Sequence, residues 1–211
     1  MSMRLIVAGM GVQGTKRKRV AEKSVVATID PLAKGANYKD VKDVPLGDYD
    51  AAILCIPDDP KVDLIKYLLS NKKHVLVEKP LFCEDERDII ALEKLSNAND
   101  VVFYTAYNHR FEPHFINMRD LIKSKVLGEI YSLRMFYGNG TARLVRNSIW
   151  RDSGIGVLAD LGSHLLDTLR FWLGDSYDAK FELRGAFNHE NKSFDHVIIG
   201  NNDLPSIQIE M

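Results

Sequence analysis

Only two cysteines, Cys55 and Cys83, occur among the 211 residues, too few for a disulfide framework. Cys55 lies within the apolar run AAILCIP and reads as a small core hydrophobe. No apolar run reaches the roughly 20 residues that a helix needs to span a bilayer, which argues against a membrane protein. Charge excess is missing as well. The net charge is -1, from 28 basic and 29 acidic residues, so neither nucleic acid nor an anionic membrane surface is an expected partner. A signal-peptide layout is lacking, because the first strand-like run begins at Arg4. The expected setting is therefore a reducing cytoplasm. Internal repeats and low-complexity segments are also absent.

What is present is ordinary globular composition, 45% hydrophobic and 27% charged. The length suits two domains of about 100 residues each, or one larger one. The runs RLIVA (4–8), VVATID (25–30), AAILCIP (51–57), KHVLVE (73–78) and VVFYTAY (101–107) read as strands. Helical patterns separate most of them, over 13–23, after Pro60 in KVDLIKYLLS, and after Pro80 in EDERDIIALEKLSN. Alternation of this kind predicts a parallel sheet with crossover helices. Residues 31–49 are broken by proline and glycine and read as irregular.

Beyond residue 107 the texture changes. FINMRDLIKSKV (115–126) reads as a helix and EIYSLRMFYG (129–138) as a long strand. A loop rich in glycine, arginine and asparagine follows. LADLGSHLLDTLRFWLG (158–174) reads as a helix closed by Gly174. KFELRGAF, FDHVIIG and PSIQIE then read as successive strands. The expected organisation is a dinucleotide-binding domain over 1–120 and an α+β domain over 121–211.

The stretch GMGVQG, residues 9–14, follows the first strand directly. A dinucleotide fingerprint needs a strand before it, a helix after it, and an acid about 20 residues further on. RLIVA, the segment from 13, and Asp30 supply all three. Gly9 would permit the tight turn, Gly11 the approach of a pyrophosphate, and Gly14 the close packing of helix on strand. Asp30 would accept from the ribose hydroxyls, which favours NAD over NADP. The basic run Lys16, Arg17, Lys18 and Arg19 reads as a solvated helix face.

HVLVEKP (74–80) puts Glu-Lys-Pro just past a strand, at the carboxyl edge where such sheets bind ligands. With it the chain resembles the Gfo/Idh/MocA oxidoreductases, the relatives of glucose-fructose oxidoreductase and inositol dehydrogenase. GMGVQG, AILCIP, HVLVEKP, YNHRF and GIGVLADLGSHLLD occur in that family's order and approximate spacing. The resemblance implies an α/β fold: an N-terminal Rossmann doubly wound parallel sheet, then an α+β domain with a largely antiparallel open sheet. It also implies that Val12, Gln13, Pro57 and Glu78 join the glycines and Asp30 in holding the cofactor. Lys79 would contact the substrate hydroxyl and the nicotinamide region. Asp160 and His164 match an Asp-x-x-x-His pair whose histidine is the usual acid/base. Asn108 and Arg110 match a stretch near the nicotinamide, and Trp150 and Arg151 a Trp-Arg pair ahead of the glycine run.

The residue chemistry agrees independently. Oxidation of a carbinol removes the hydroxyl proton as hydride leaves carbon, and histidine titrates in the range suited to that transfer. On a helix, Asp160, His164 and Asp167 share one face. Leu161, Leu165, Leu169 and Trp172 form the opposite, apolar one. Lys79 would polarise the developing alkoxide. His109 and His114 match no standard zinc spacing, so no metal is expected.

Four departures from the family pattern stand out. The segment after Asp30 lacks the usual helix. Lys61 stands where a histidine is common. The glycine run is interrupted to Gly154-Ile155-Gly156. The chain also ends at IQIEM, well short of typical family length, so PSIQIE is expected to be an open edge that pairs with another subunit. A homo-oligomer, dimer or tetramer, through the C-terminal sheet follows from that expectation. Arg143, Arg146 and Arg151 cluster in YGNGTARLVRNSIWRD, as forks for a diphosphate would. The expected substrate is therefore a sugar or nucleotide sugar, oxidised with NAD. The alternatives are an inositol or another carbonyl or imine substrate, and a non-catalytic cofactor-sensing regulator.

Overall fold

Short strands buried on both faces read as continuous apolar runs, and five such runs build the first half of the chain. The structure, a computed structural model, describes residues 3–83, 85–138, 145–146, 152, 154–174, 177 and 180–211. It divides into two compact units, Met1–Ala106 and Tyr107–Met211. In the first, β1 (Leu5–Ala8), β2 (Val25–Ile29), β3 (Ala51–Leu54), β4 (His74–Val77) and β5 (Phe103–Thr105) pair in parallel in the order β2-β1-β3-β4-β5. The order reverses at β1, so the carboxyl ends of β1 and β3 flank the switch point where doubly wound sheets take ligands.

Three helices accompany these strands: α1 (Val12–Ala21), α2 (Lys61–Ser70) and α3 (Glu86–Ala98). In α2, Ile65, Leu68 and Leu69 recur at helical spacing and are fully buried with Ile6, Leu54 and Val77 of the sheet. Asp85 caps α3 by accepting from the Arg87 amide at 2.8 Å, and Glu86 and Asp88 favour its positive end. The irregular segment after Asp30 contains two 3-10 turns, Val41–Asp43 and Leu46–Asp48. It also shields the β2 edge. The Asn37 and Tyr38 amides donate to the Thr28 carbonyl, and Asn37 Oδ1 accepts from the Thr28 amide.

The second unit begins at Tyr107 and includes α4 (Pro113–Lys123), which packs on α5 (Ser163–Leu173). Trp172 Nε1 donates to the Phe115 carbonyl at 3.0 Å across that pair. The second sheet is mixed. It runs β6-β9-β8-β7, built from β6 (Ser132–Phe136), β7 (Glu182–Phe187), β8 (His196–Gly200) and β9 (Ser206–Glu210). β7, β8 and β9 are antiparallel, while β6 joins β9 in parallel. The expectation that PSIQIE is an open edge is thus corrected. β9 is an interior strand, because β6 returns alongside it, and Ile207 and Ile209 are fully buried. Under this sheet lies the apolar stripe of Leu161, Leu165 and Leu169, with half-buried Trp172. Among the described residues no helix is long and apolar enough to cross a membrane.

Leu68→Ala removes a fully buried side chain from the first core. It should lower the unfolding free energy by about 2–5 kcal/mol, read as a shift in urea midpoint.

Candidate active site

Gly9 has a φ of 86°, in the left-handed region that glycine tolerates. Its amide donates to the Ile29 carbonyl at 2.8 Å. A Cβ on Gly9 would stand 2.2 Å from the Cys55 carbonyl oxygen, and one on Gly14 would stand 1.7 Å from the Gly9 carbonyl oxygen. Neither site admits a side chain. Gly11 differs, since a Cβ there would meet nothing within 4 Å. Gly11 is also the N-cap of α1, which has no side-chain cap and no acid in its first turn. Uncapped first-turn amides beside an open glycine are the arrangement that receives an anion.

Asp30 secures this turn. One carboxylate oxygen accepts from the Met10 amide at 2.7 Å, and the other accepts from the Leu32 and Ala33 amides, each at 2.8 Å. The Met10 bond, followed by the Ala33 bond, holds the Asp30 pKa below the ordinary carboxylate value. A carboxylate offers about four lone pairs, so one remains for a ribose hydroxyl. The residues present therefore fit a dinucleotide. Gly11 leaves room for a pyrophosphate, α1 offers amides to it, and Asp30 is a fixed anion near the first turn.

Lys79 follows β4 and is half-buried. Its neighbour Glu78 accepts from Arg17 Nε of α1 at 2.6 Å. Arg17 is thereby committed within the unit, whereas Lys16, Lys18 and Arg19 are exposed, as expected of a solvated face. Pro57 is exposed beyond β3. The Cys55 thiol, pushed up to about 12 mainly by burial, stays protonated.

In the second unit the chemistry gathers at the start of α5. Residues Leu158–Gly162 form a π-helical turn that carries Asp160, and His164 follows in the first turn of α5. Turns of this kind recur at functional sites. Their wider winding changes the spacing that a continuous α-helix would have given Asp160 and His164. Asp167 turns to a different partner, taking a two-pronged contact from Arg110 at 2.7–3.0 Å. This pair ties the short turn Asn108–Phe111 to α5. Asn108 donates to Glu112 at 3.0 Å.

His109 lies beside His164. Its ring centroid lies 4.7 Å from that of His164 and 4.6 Å from Phe115, on which it stacks. Tyr107 meets His164 edge-on at 6.0 Å. The YNHRF string carried this signal, but nothing in it marks which residue turns toward α5. Arg146 pairs with Glu190. Arg143, Trp150 and Arg151 lie outside the described residues. Among the described residues no group of three or more His, Cys, Asp or Glu side chains is arranged to hold a metal ion.

Two family models match this chain. One, described as an oxidoreductase family with an NAD-binding Rossmann fold, covers residues 5–107. The other, the GFO/IDH/MocA C-terminal domain, covers residues 115–199. Among curated relatives, inositol 2-dehydrogenase of Rhizobium meliloti is 31% identical over 61% of this chain and 38% of its own length. The rhizopine catabolism protein MocA of Rhizobium meliloti is 26% identical over 81% of this chain and 57% of its own. The matches thus span only part of these relatives. The solved scyllo-inositol dehydrogenase from Lactobacillus casei, with NAD(H) and scyllo-inositol bound, superposes with a TM-score of 0.83 at 18% identity. It is covered over 69% of its chain, and this chain over 100%.

Gly11→Ala should leave thermal stability nearly unchanged, because its Cβ enters open space, yet weaken NADH binding at least about 10-fold by occupying the phosphate approach. Gly14→Ala should lower the melting temperature as well, since the helix must move. Fluorescence titration and thermal melts of the two variants distinguish these outcomes. Asp30 has a depressed folded pKa, so its contribution is complete above about pH 4 and disappears as pH falls through the folded value. Asp30→Asn should therefore flatten the acid side of the stability curve, measured by urea midpoints from about pH 3 to pH 7.

Proposed function

We propose, from the premise that the chain belongs to the Gfo/Idh/MocA oxidoreductase family, that it uses NAD to oxidise a ring hydroxyl of a sugar or cyclic polyol. The observation that carries this reading is the uncapped start of α1, left open at Gly11 beside the fixed Asp30 carboxylate. NAD supplies a hydride acceptor at the nicotinamide. The first-turn amides of α1, with Val12 and Gln13 among them, hold its pyrophosphate. Asp30 accepts from the ribose and disfavours NADP, whose 2′-phosphate would face a carboxylate. Glu78 and Asn108 border the nicotinamide side.

Lys79 donates to the substrate oxygen and stabilises the negative charge that grows there. His164 takes the hydroxyl proton as the hydrogen on carbon leaves as hydride with the bonding electron pair, and a ketone remains. The Asp160 carboxylate favours the resulting imidazolium. Protonated His164 returns the proton in the reverse reaction.

Similarity to inositol dehydrogenases favours an inositol-like ring over a nucleotide sugar. The diphosphate reading rested on three arginines, and of these Arg146 is engaged by Glu190. The setting is the cytoplasm. Homo-oligomers form through the second sheet, whose outer strands β6 and β7 expose Phe136, Leu183 and Phe187.

The test is reduction of NAD in a single turnover with a panel of inositols, free sugars and UDP- and dTDP-sugars. One cyclic polyol or sugar should give reduced nicotinamide. Lys79→Ala and His164→Ala should each lower the rate by about 10²–10⁴-fold while NADH still binds. Activity confined to nucleotide sugars would restore the diphosphate reading. NADH binding with silence on the whole panel would point to a cofactor sensor.

A further inference from the structure

The side chain of Lys61 is 3% exposed, and lysine is rarely buried so fully unless it is paired. It is the first residue of α2, where the helix dipole disfavours a cation. Helix preference therefore does not explain its place. Its partners do. Lys61 Nζ donates to Asp58 Oδ1 at 2.6 Å, to the Pro80 carbonyl at 2.9 Å and to the Glu78 carbonyl at 3.2 Å. An ammonium has three N–H donors, and three acceptors surround this one. Two of the three are the carbonyls that flank Lys79 in the chain.

We propose that Lys61 is a positioning residue that holds the Glu78–Lys79–Pro80 segment in its working place through those two carbonyls. This inference rests on the reading of Lys79 as the group that polarises the substrate hydroxyl. The neighbouring contacts complete the support. The Glu78 amide donates to the Leu54 carbonyl at 2.9 Å, and the Glu78 carboxylate is held by Arg17. Glu78 is thus secured at its amide, its carbonyl and its side chain, each by a different element, and Lys61 also reaches past Lys79 to Pro80. Asp58 supplies the countercharge that lets the ammonium stay buried. Such support matters because a reacting group must be held to a fraction of an ångström by its surroundings. A lysine can make this clamp where a neutral residue of the same length cannot, since it brings three donors on one nitrogen.

Lys61→Met keeps the length and apolar bulk and removes the donors. With the substrate that the panel identifies, kcat should fall about 100-fold while KM changes less than about threefold, because the group is misplaced and not lost. A variant that melts lower but keeps its kcat per folded molecule would show a merely structural lysine and overturn the proposal. If Lys61→Met does not fold, Asp58→Ala loosens the same clamp and should lower kcat in the same direction by less. An unchanged kcat there also overturns it. If the wild-type protein binds NADH but turns over nothing, the proposed reaction fails independently, and amide exchange decides the clamp. The peptide carrying Val77, Glu78 and Lys79 should exchange faster in Lys61→Met, with β1 unchanged. Equal exchange overturns the proposal.

Discussion

The architecture of the first unit depends on one close approach, that of the start of α1 to the turn that leaves β1. There is no room for a Cβ at Gly9 or Gly14, because backbone carbonyls already occupy that space. This contact brings the helix start to the carboxyl edge of the sheet. Once it is there, its unpaired amides need a partner, and no side chain caps them. Asp30 adds the second restraint by gripping the Met10 amide in the middle of the turn. This carboxylate ties the glycine turn to the segment after β2. The three backbone bonds leave about one of its lone pairs open.

The second unit is organised around α5. One side of that helix is apolar and buried under the mixed sheet, and the other carries His164 and Asp167. Arg110 reaches Asp167 with a bidentate contact and brings the turn that holds Asn108 and His109 to the helix. Partly buried pairs of this geometry gain by satisfying several donors at once, which offsets the cost of desolvation. The consequence for chemistry is that His164 is bordered by aromatic rings, Tyr107 and His109 among them.

Much of this was legible in the chain before any coordinates. All five strands of the first sheet show as apolar runs, because strands buried on both faces must be apolar throughout. The Gly9–Gly14 turn could be read too, since strand, glycines, helix and acid occur in a fixed spacing. The family resemblance drawn from YNHRF and GIGVLADLGSHLLD agrees with the family models that match each half of the chain. Misreadings fell where spacing gives way to contact. PSIQIE looks like a final, open strand, but sheet order is set by which segment returns beside it, and β6 does so from 70 residues earlier in sequence. Helical periodicity puts Asp167 on the face of His164 but carries no signal of its partner Arg110, far away along the chain.

The sequence by itself determined the alternation of strand and helix, the glycine turn, the apolar stripe of α5 and the identity of the chemically capable residues. These follow from local rules, the periods of two and 3.6 and the steric needs of glycine. Tertiary structure alone decided the partners: Asp30 with Met10, Arg17 with Glu78, Arg110 with Asp167, and Lys61 with the carbonyls on either side of Lys79. Each of these joins residues whose spacing carries no signal, because a hydrogen bond acts over about 3 Å of space whatever the length of chain between its ends.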